Sequence, residues 1–180
     1  MSAIWFLGLL LSSTTPAIVQ DRAGSDHPMV TRYPGASIVD YRSSAIDKIA
    51  LPVGEITSDS ASTNVRSFEG GVTHIDYRTK PATAPLQIER HYEAALTSEG
   101  FEPVYKCAGR SCGRGMGSLI LNSGRVAPVG FADGLFNETV RVLVARRGDT
   151  WVLVHMAAGP DRSQIYQAVV DGGVAVTDGD

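Results

Sequence analysis

The hydrophobic positions of this chain change period several times, and each change marks an element. From residue 71 to residue 78, Thr73, Ile75 and Tyr77 alternate with Val72, His74, Asp76 and Arg78. A period of two puts successive side chains on opposite faces of a strand, here one face suited to a core and the other to water or a partner. Residues 37–42 and 48–51 read as two more short strands, the second ended by Pro52, which offers no N–H to a ladder. The best hairpin comes late: residues 139–146 and 150–156 flank the turn Arg147-Gly148-Asp149. Val142 and Val144 alternate on one arm and Val152 and Val154 on the other, with Trp151 beside the turn to pack across. Residues 118–121 and 164–170 read as two further strands.

One segment has the helical period instead. Ile88, Tyr92, Ala95 and Leu96 form a narrow apolar stripe over residues 85–99. Pro85 suits a first helical turn, where its missing N–H would be unpaired anyway. Gly100 suits the left-handed position just past the end, with Phe101 folding back onto the last turn. Residues 102–106 continue as a strand, giving a strand–helix–strand unit ahead of the C-terminal hairpin. The pattern predicts an α+β domain, a mostly antiparallel sheet with one main helix. Residues 21–30 read as an ordered loop, Arg32-Tyr33-Pro34-Gly35 as a turn, residues 55–67 as a mobile polar loop and residues 171–180 as a flexible tail.

The first 20 residues carry no charged side chain; an apolar block at residues 3–11 is followed by Ser12-Ser13-Thr14-Thr15-Pro16-Ala17. That is the layout of a secretory signal peptide, although no Lys or Arg precedes the apolar block. The block is about half the length that spans a bilayer, and Ser12 to Pro16 would end a buried helix early. The reading is a signal peptide at residues 1–20, cleaved after Ala17 or a few residues later, a single domain at 21–170 and the tail. The mature part would carry no transmembrane anchor.

Composition narrows the partners more than the chemistry. At 43% hydrophobic, 19% charged and a net charge of −3, the chain offers no basic cluster for nucleic acid and no polybasic segment for an anionic membrane. No cofactor is implied. Gly-x-Ser-x-Gly, His-Glu-x-x-His and Walker patterns are all missing from the sequence. The string Arg147-Gly148-Asp149 is accounted for as a hairpin turn.

Two places tempt a functional reading. Cys107 and Cys112, the only cysteines, enclose four residues. The spacing is too wide for a thioredoxin-type or zinc-knuckle motif. A structural disulfide closing a tight loop fits an exported chain; a redox-active pair or two free thiols are the other readings. The adjoining Gly113-Arg114-Gly115-Met116-Gly117 is expected to run into a strand rather than the helix that would aim its amides at a phosphate, but Arg110 and Arg114 could meet an anionic group. Elsewhere, His74 and Asp76 share a strand face, as two ligands or a base and its orienting carboxylate must; an exposed polar face is the plainer account. His155 falls on a strand face with Trp151 and Leu153 and reads as a packed histidine.

Asp26-His27-Pro28 and Arg32-Tyr33-Pro34-Gly35-Ala36-Ser37-Ile38-Val39, followed by Leu51-Pro52-Val53-Gly54, the strand at 72–78, the Tyr92–Leu96–Gly100–Phe101 helix end and the cysteine pair, occur in the order of a bacterial envelope family. Over residues 21–170 the chain resembles domain-of-unknown-function family 4892, whose members often precede an outer-membrane-protein-A-like, peptidoglycan-binding module. No such module follows here before Asp180. The resemblance implies periplasmic or outer-envelope residence in a Gram-negative-type bacterium, and no catalytic residues. The function expected is a non-enzymatic envelope domain that binds a protein or glycan partner, through an open sheet face or the 107–117 loop. A small periplasmic enzyme using His74 and Asp76, or an outer-membrane assembly accessory, are the alternatives.

Overall fold

A computed structural model describes residues 21–58, 60, 63–132, 134–135 and 138–177. The predicted leader at 1–20 lies outside the described residues, as do the last three positions of the predicted tail. Six strands form one antiparallel sheet: β1 (Ser37–Pro52), β2 (Val65–Thr79), β3 (Glu102–Ala108), β4 (Arg141–Arg147), β5 (Thr150–Ala158) and β6 (Ser163–Val176). Their spatial order is β1-β2-β6-β5-β4-β3. The main helix α1 (Pro85–Ser98) links β2 to β3, which therefore run in the same direction with three later strands between them. The α+β class, the main helix and the C-terminal hairpin are as the sequence predicts.

The helix ends where its residues say it should. Pro85 opens it, Gly100 has φ +79°, and the Phe101 N–H donates to the Leu96 carbonyl at 2.9 Å. Ile88, Tyr92 and Leu96 are buried against one face of the sheet, among Ile38, Ile75, Tyr77, Val152, Val154, Ile165 and Val169. The segment before β1 lies on that face too, contributing Val30 and Ala36 and held to the helix by Gln87 donating to Tyr33 at 2.8 Å.

The opposite face is covered as well, which the alternation in β2 did not predict. A short helix α2 (Met116–Leu121), with Val126, Ala127, Phe131 and Ala132 after it, packs on Phe68, Val72, Val142, Val144, Trp151, Leu153, Tyr166 and Ala168. The predicted strand at 118–121 is this helix. Leu119, Ile120 and Leu121 are all buried in succession, which a strand lying on one sheet face cannot achieve because alternate side chains would point away.

Four boundaries also differ from the sequence reading. The two short N-terminal strands are one, β1, carried through register shifts between Ile38 and Asp40 and between Ser44 and Asp47, irregularities that interrupt the alternation without ending the ladder. The predicted 55–67 loop is shorter, since Val65 already pairs with Pro52. Its Ile56 is fully buried. The tail forms part of β6, pairing as far as Val176 with Ser67. In the hairpin, Arg147 pairs with Thr150, so the turn has two residues rather than three. Val142 and Val144 consequently face the α2 side, while Val152 and Val154 face α1, because a one-residue change of register reverses every side chain.

Candidate functional site

The disulfide loop builds one wall of a concavity. β3 ends beside β4, pairing Cys107 with Val142, and a single 3-10 turn, Gly109–Cys112, returns the chain so that Cys107 and Cys112 are bonded with Cα atoms 5.0 Å apart. The Ile56 N–H donates to the Cys112 carbonyl and the Gly115 N–H to the Ile56 carbonyl, both at 2.9 Å. These bonds explain the glycines. A Cβ on Gly113, which has φ +87°, would lie 2.1 Å from the Ile56 carbonyl oxygen, and one on Gly115 would lie 2.4 Å from the Ser58 carbonyl carbon. The stretch is glycine-dense so that two backbones can touch.

Between this loop, α2 and the approach to β4 lies a pocket of about 560 Å³. Met116, Leu135 and Val140 give it apolar walls; Arg110, Arg114, Ser118 and Glu138 also line it. Arg110 donates to Glu138 at 3.0 Å in a well-exposed pair. Arg114 is exposed and forms no ion pair with a described residue. His155, only 2% exposed, also lines the pocket. Both of its ring nitrogens are buried without a hydrogen-bond partner, and burial pulls its pKa down to about 4, so the ring is neutral across ordinary pH.

His74 and Asp76 share the α2-side face, but they are buried, correcting the exposed polar surface expected of them. They are not joined to each other. His74 Nδ1 lies 2.7 Å from the Tyr166 hydroxyl, its ring 5.8 Å from Phe131. Burial, followed by the opposing influences of Asp47 and Arg42, brings the His74 pKa down to about 4. Asp76 instead accepts from Gln164 Nε2 at 3.1 and 3.2 Å and borders a separate polar cleft with Arg22, Asp40 and Arg78. Of the four sequence candidates, Arg110 and Arg114 meet at one pocket, while His74 and Asp76 go to different neighbours.

Leu135 and Glu138 are the pocket residues that the sequence did not single out, and His155 is the packed histidine it predicts. The signal for His155 was present in the alternation of β5. What the period could not show is that residues 109–118 fold over that face. Arg147 of the Arg-Gly-Asp string is occupied, donating to the Glu99 carbonyl at 2.6 Å and lying 5.0 Å from the Phe101 ring centre. Among the described residues there is no cluster of His, Cys, Asp and Glu fit to hold a metal, and no helix is long and apolar enough to cross a membrane.

Neither a protein-family model nor a curated protein matches this sequence.

Proposed function

We propose that this chain is an exported, non-enzymatic domain of the cell envelope whose binding site is the pocket beneath the disulfide loop. The observation that carries the reading is the pocket itself, where apolar walls and the two arginines Arg110 and Arg114 converge. Ligand sites are commonly apolar concavities with a few convergent polar groups. Of the two surfaces the sequence offered to a protein or glycan partner, the sheet carries a packed layer on each face, which favours the loop.

Export is supported by the Cys107–Cys112 disulfide, since such bonds persist outside the reducing cytosol, together with the charge-free leader of the sequence. Periplasmic or outer-envelope residence, and kinship with family 4892, belong to the same proposal. A separate dyad reading gains nothing from the geometry, as His74 and Asp76 face different groups.

The test is affinity capture from envelope extract with the protein and with Gly117→Trp, which plugs the pocket from α2. An envelope component held by the first and lost by the second is the expected result. Equal recovery with both variants would remove the pocket from the function.

A further inference from the structure

A sheet edge offers unpaired N–H and C=O groups to any extended chain that reaches it. The edge strands here are β1 and β3. β3 is only seven residues long and includes Pro103, which has no N–H. It carries a register shift between Pro103 and Tyr105, and its Ala108 N–H donates to Ser111 Oγ at 3.1 Å. β1 is sixteen residues long with no proline before Pro52, so it is the edge at risk.

Both ends of β1 are covered by chain from elsewhere. The Ile38 N–H donates to Asp21 at 2.7 Å, and its carbonyl accepts from the Arg22 N–H at 3.0 Å. The Ala50 N–H donates to the Arg125 carbonyl at 2.8 Å. Between these points the strand closes itself, twice and in the same way. Asp40 follows the first register shift and accepts from the Tyr41 N–H at 2.8 Å. Asp47 follows the second and accepts from the Lys48 N–H at 2.9 Å. An antiparallel strand bonds each neighbour through alternate residues. The Tyr41 and Lys48 amides are thus the outward ones, and a carboxylate occupies each. Ser43, two residues beyond Tyr41 with no shift between them, also faces outward but follows Arg42 rather than an aspartate.

Without those carboxylates the stretch would suit another strand. It is extended, and it displays Ile46 at 75% exposure. A second β1 laid antiparallel about a two-fold axis would present the same segment in return.

We propose that Asp40 and Asp47 are edge-closing residues, which hold the outward amides of Tyr41 and Lys48 and so keep β1 from pairing with the β1 of a second copy. The aspartate side chain is short enough to reach a neighbouring amide of its own backbone. An incoming carbonyl would have to displace it and then lie beside its negative charge. The exposed Arg42 and Lys48 add the charge that edges commonly carry against pairing. This role is independent of the pocket.

The experiment is light scattering on the purified, disulfide-bonded protein across a range of concentrations. The parent should have the mass of one chain, and Asp40→Ala with Asp47→Ala should form a species of twice that mass. Adding Ser43→Pro to the alanine pair should return it to one chain, because proline removes an outward N–H that β2 does not use. Asp40→Asn with Asp47→Asn keeps an acceptor oxygen at each place and should behave as the parent. Amide exchange supplies a second readout: Tyr41 and Lys48 should be protected in the parent, and Ser43 only in the alanine pair. Thermal melting checks folding; if the proline variant does not fold, the Ser43 exchange comparison decides.

A folded alanine pair that stays a single chain at every concentration would overturn the assignment. So would an asparagine pair that associates as readily as the alanine pair, or a parent that already pairs through β1.

Discussion

His74 on β2 and Tyr166 on β6 approach within 2.7 Å, imidazole nitrogen to phenol oxygen, beneath the ring of Phe131. The contact converts a polar strand face into an interior one. His74 has its hydrogen bond from the neighbouring strand, so the α2 layer can close over it without stranding that nitrogen.

Tyr166→Phe removes the hydroxyl and leaves that His74 nitrogen unpaired in the interior. The expected loss is about 1–3 kcal/mol, the cost of a buried unsatisfied polar group, measured by urea unfolding. His74→Phe in the Tyr166→Phe background should restore part of it, because two apolar partners leave nothing unpaired.

Stability should fall on acidification. His74 and His155 both have folded pKa values lowered by burial to about 4, against 6.5 for an unperturbed histidine. Between those values the unfolded chain binds more protons than the folded one, so stability rises with pH there. The contribution is complete above pH 6.5 and is lost as the pH falls toward 4. Urea midpoints across that window, with His155→Phe showing a shallower slope than the parent, check the assignment; a flat profile would contradict it.

Reduction of the Cys107–Cys112 bond should cost about 2 kcal/mol by the loop-entropy relation. The loss should be local as well as global. Amide exchange at Ile56 and Gly115, whose bonds tie the 3-10 turn to the β1–β2 connection, should accelerate more than exchange in β5.

Gly113 and Gly35 provide a controlled pair. Both have positive φ, +87° and +79°, but a Cβ on Gly35 meets nothing within 4 Å whereas one on Gly113 meets the Ile56 carbonyl oxygen at 2.1 Å. Gly35→Ala should cost about 1 kcal/mol, the backbone term alone. Gly113→Ala should cost about 1–3 kcal/mol more, because overpacking adds to it, and should shift the loop.

The ion pair between Glu89 of α1 and Arg141 of β4 joins helix to sheet, with the carboxylate almost wholly buried. Arg141→Ala should destabilise by about 3–5 kcal/mol, since it leaves a buried charge uncompensated. Glu89→Leu combined with Arg141→Leu should be far milder. Chemical denaturation of the three proteins distinguishes a pair that supports the fold from one whose removal alone is harmful.

Much of this architecture could be read from residue order, where local chemistry and global packing agree. Pro85, Gly100 and Phe101 bracket a helix that the structure bounds within a residue, and Arg147 to Thr150 marks the hairpin. The misreadings share a cause. Ser118 to Leu121 is too short for its period to separate strand from helix, and what decides is burial of consecutive side chains against the sheet. The stretch Ser43 to Asp47 hid the continuity of β1 because a register shift there breaks the alternation. At the pocket, Arg110 and Arg114 were visible beside the cysteines, but His155 comes to them only through the sheet, from a strand more than forty residues away.

The position of β6 has a consequence for how the molecule is made. That strand, the last among the described residues, is the seam between the β1–β2 pair and the β5–β4–β3 group. Until it is in place the two halves share no ladder, and neither can complete its layers. Joining them waits on pairings from residues 163–176 back to residues 67–79 and 151–158, the distant contacts whose formation slows folding most.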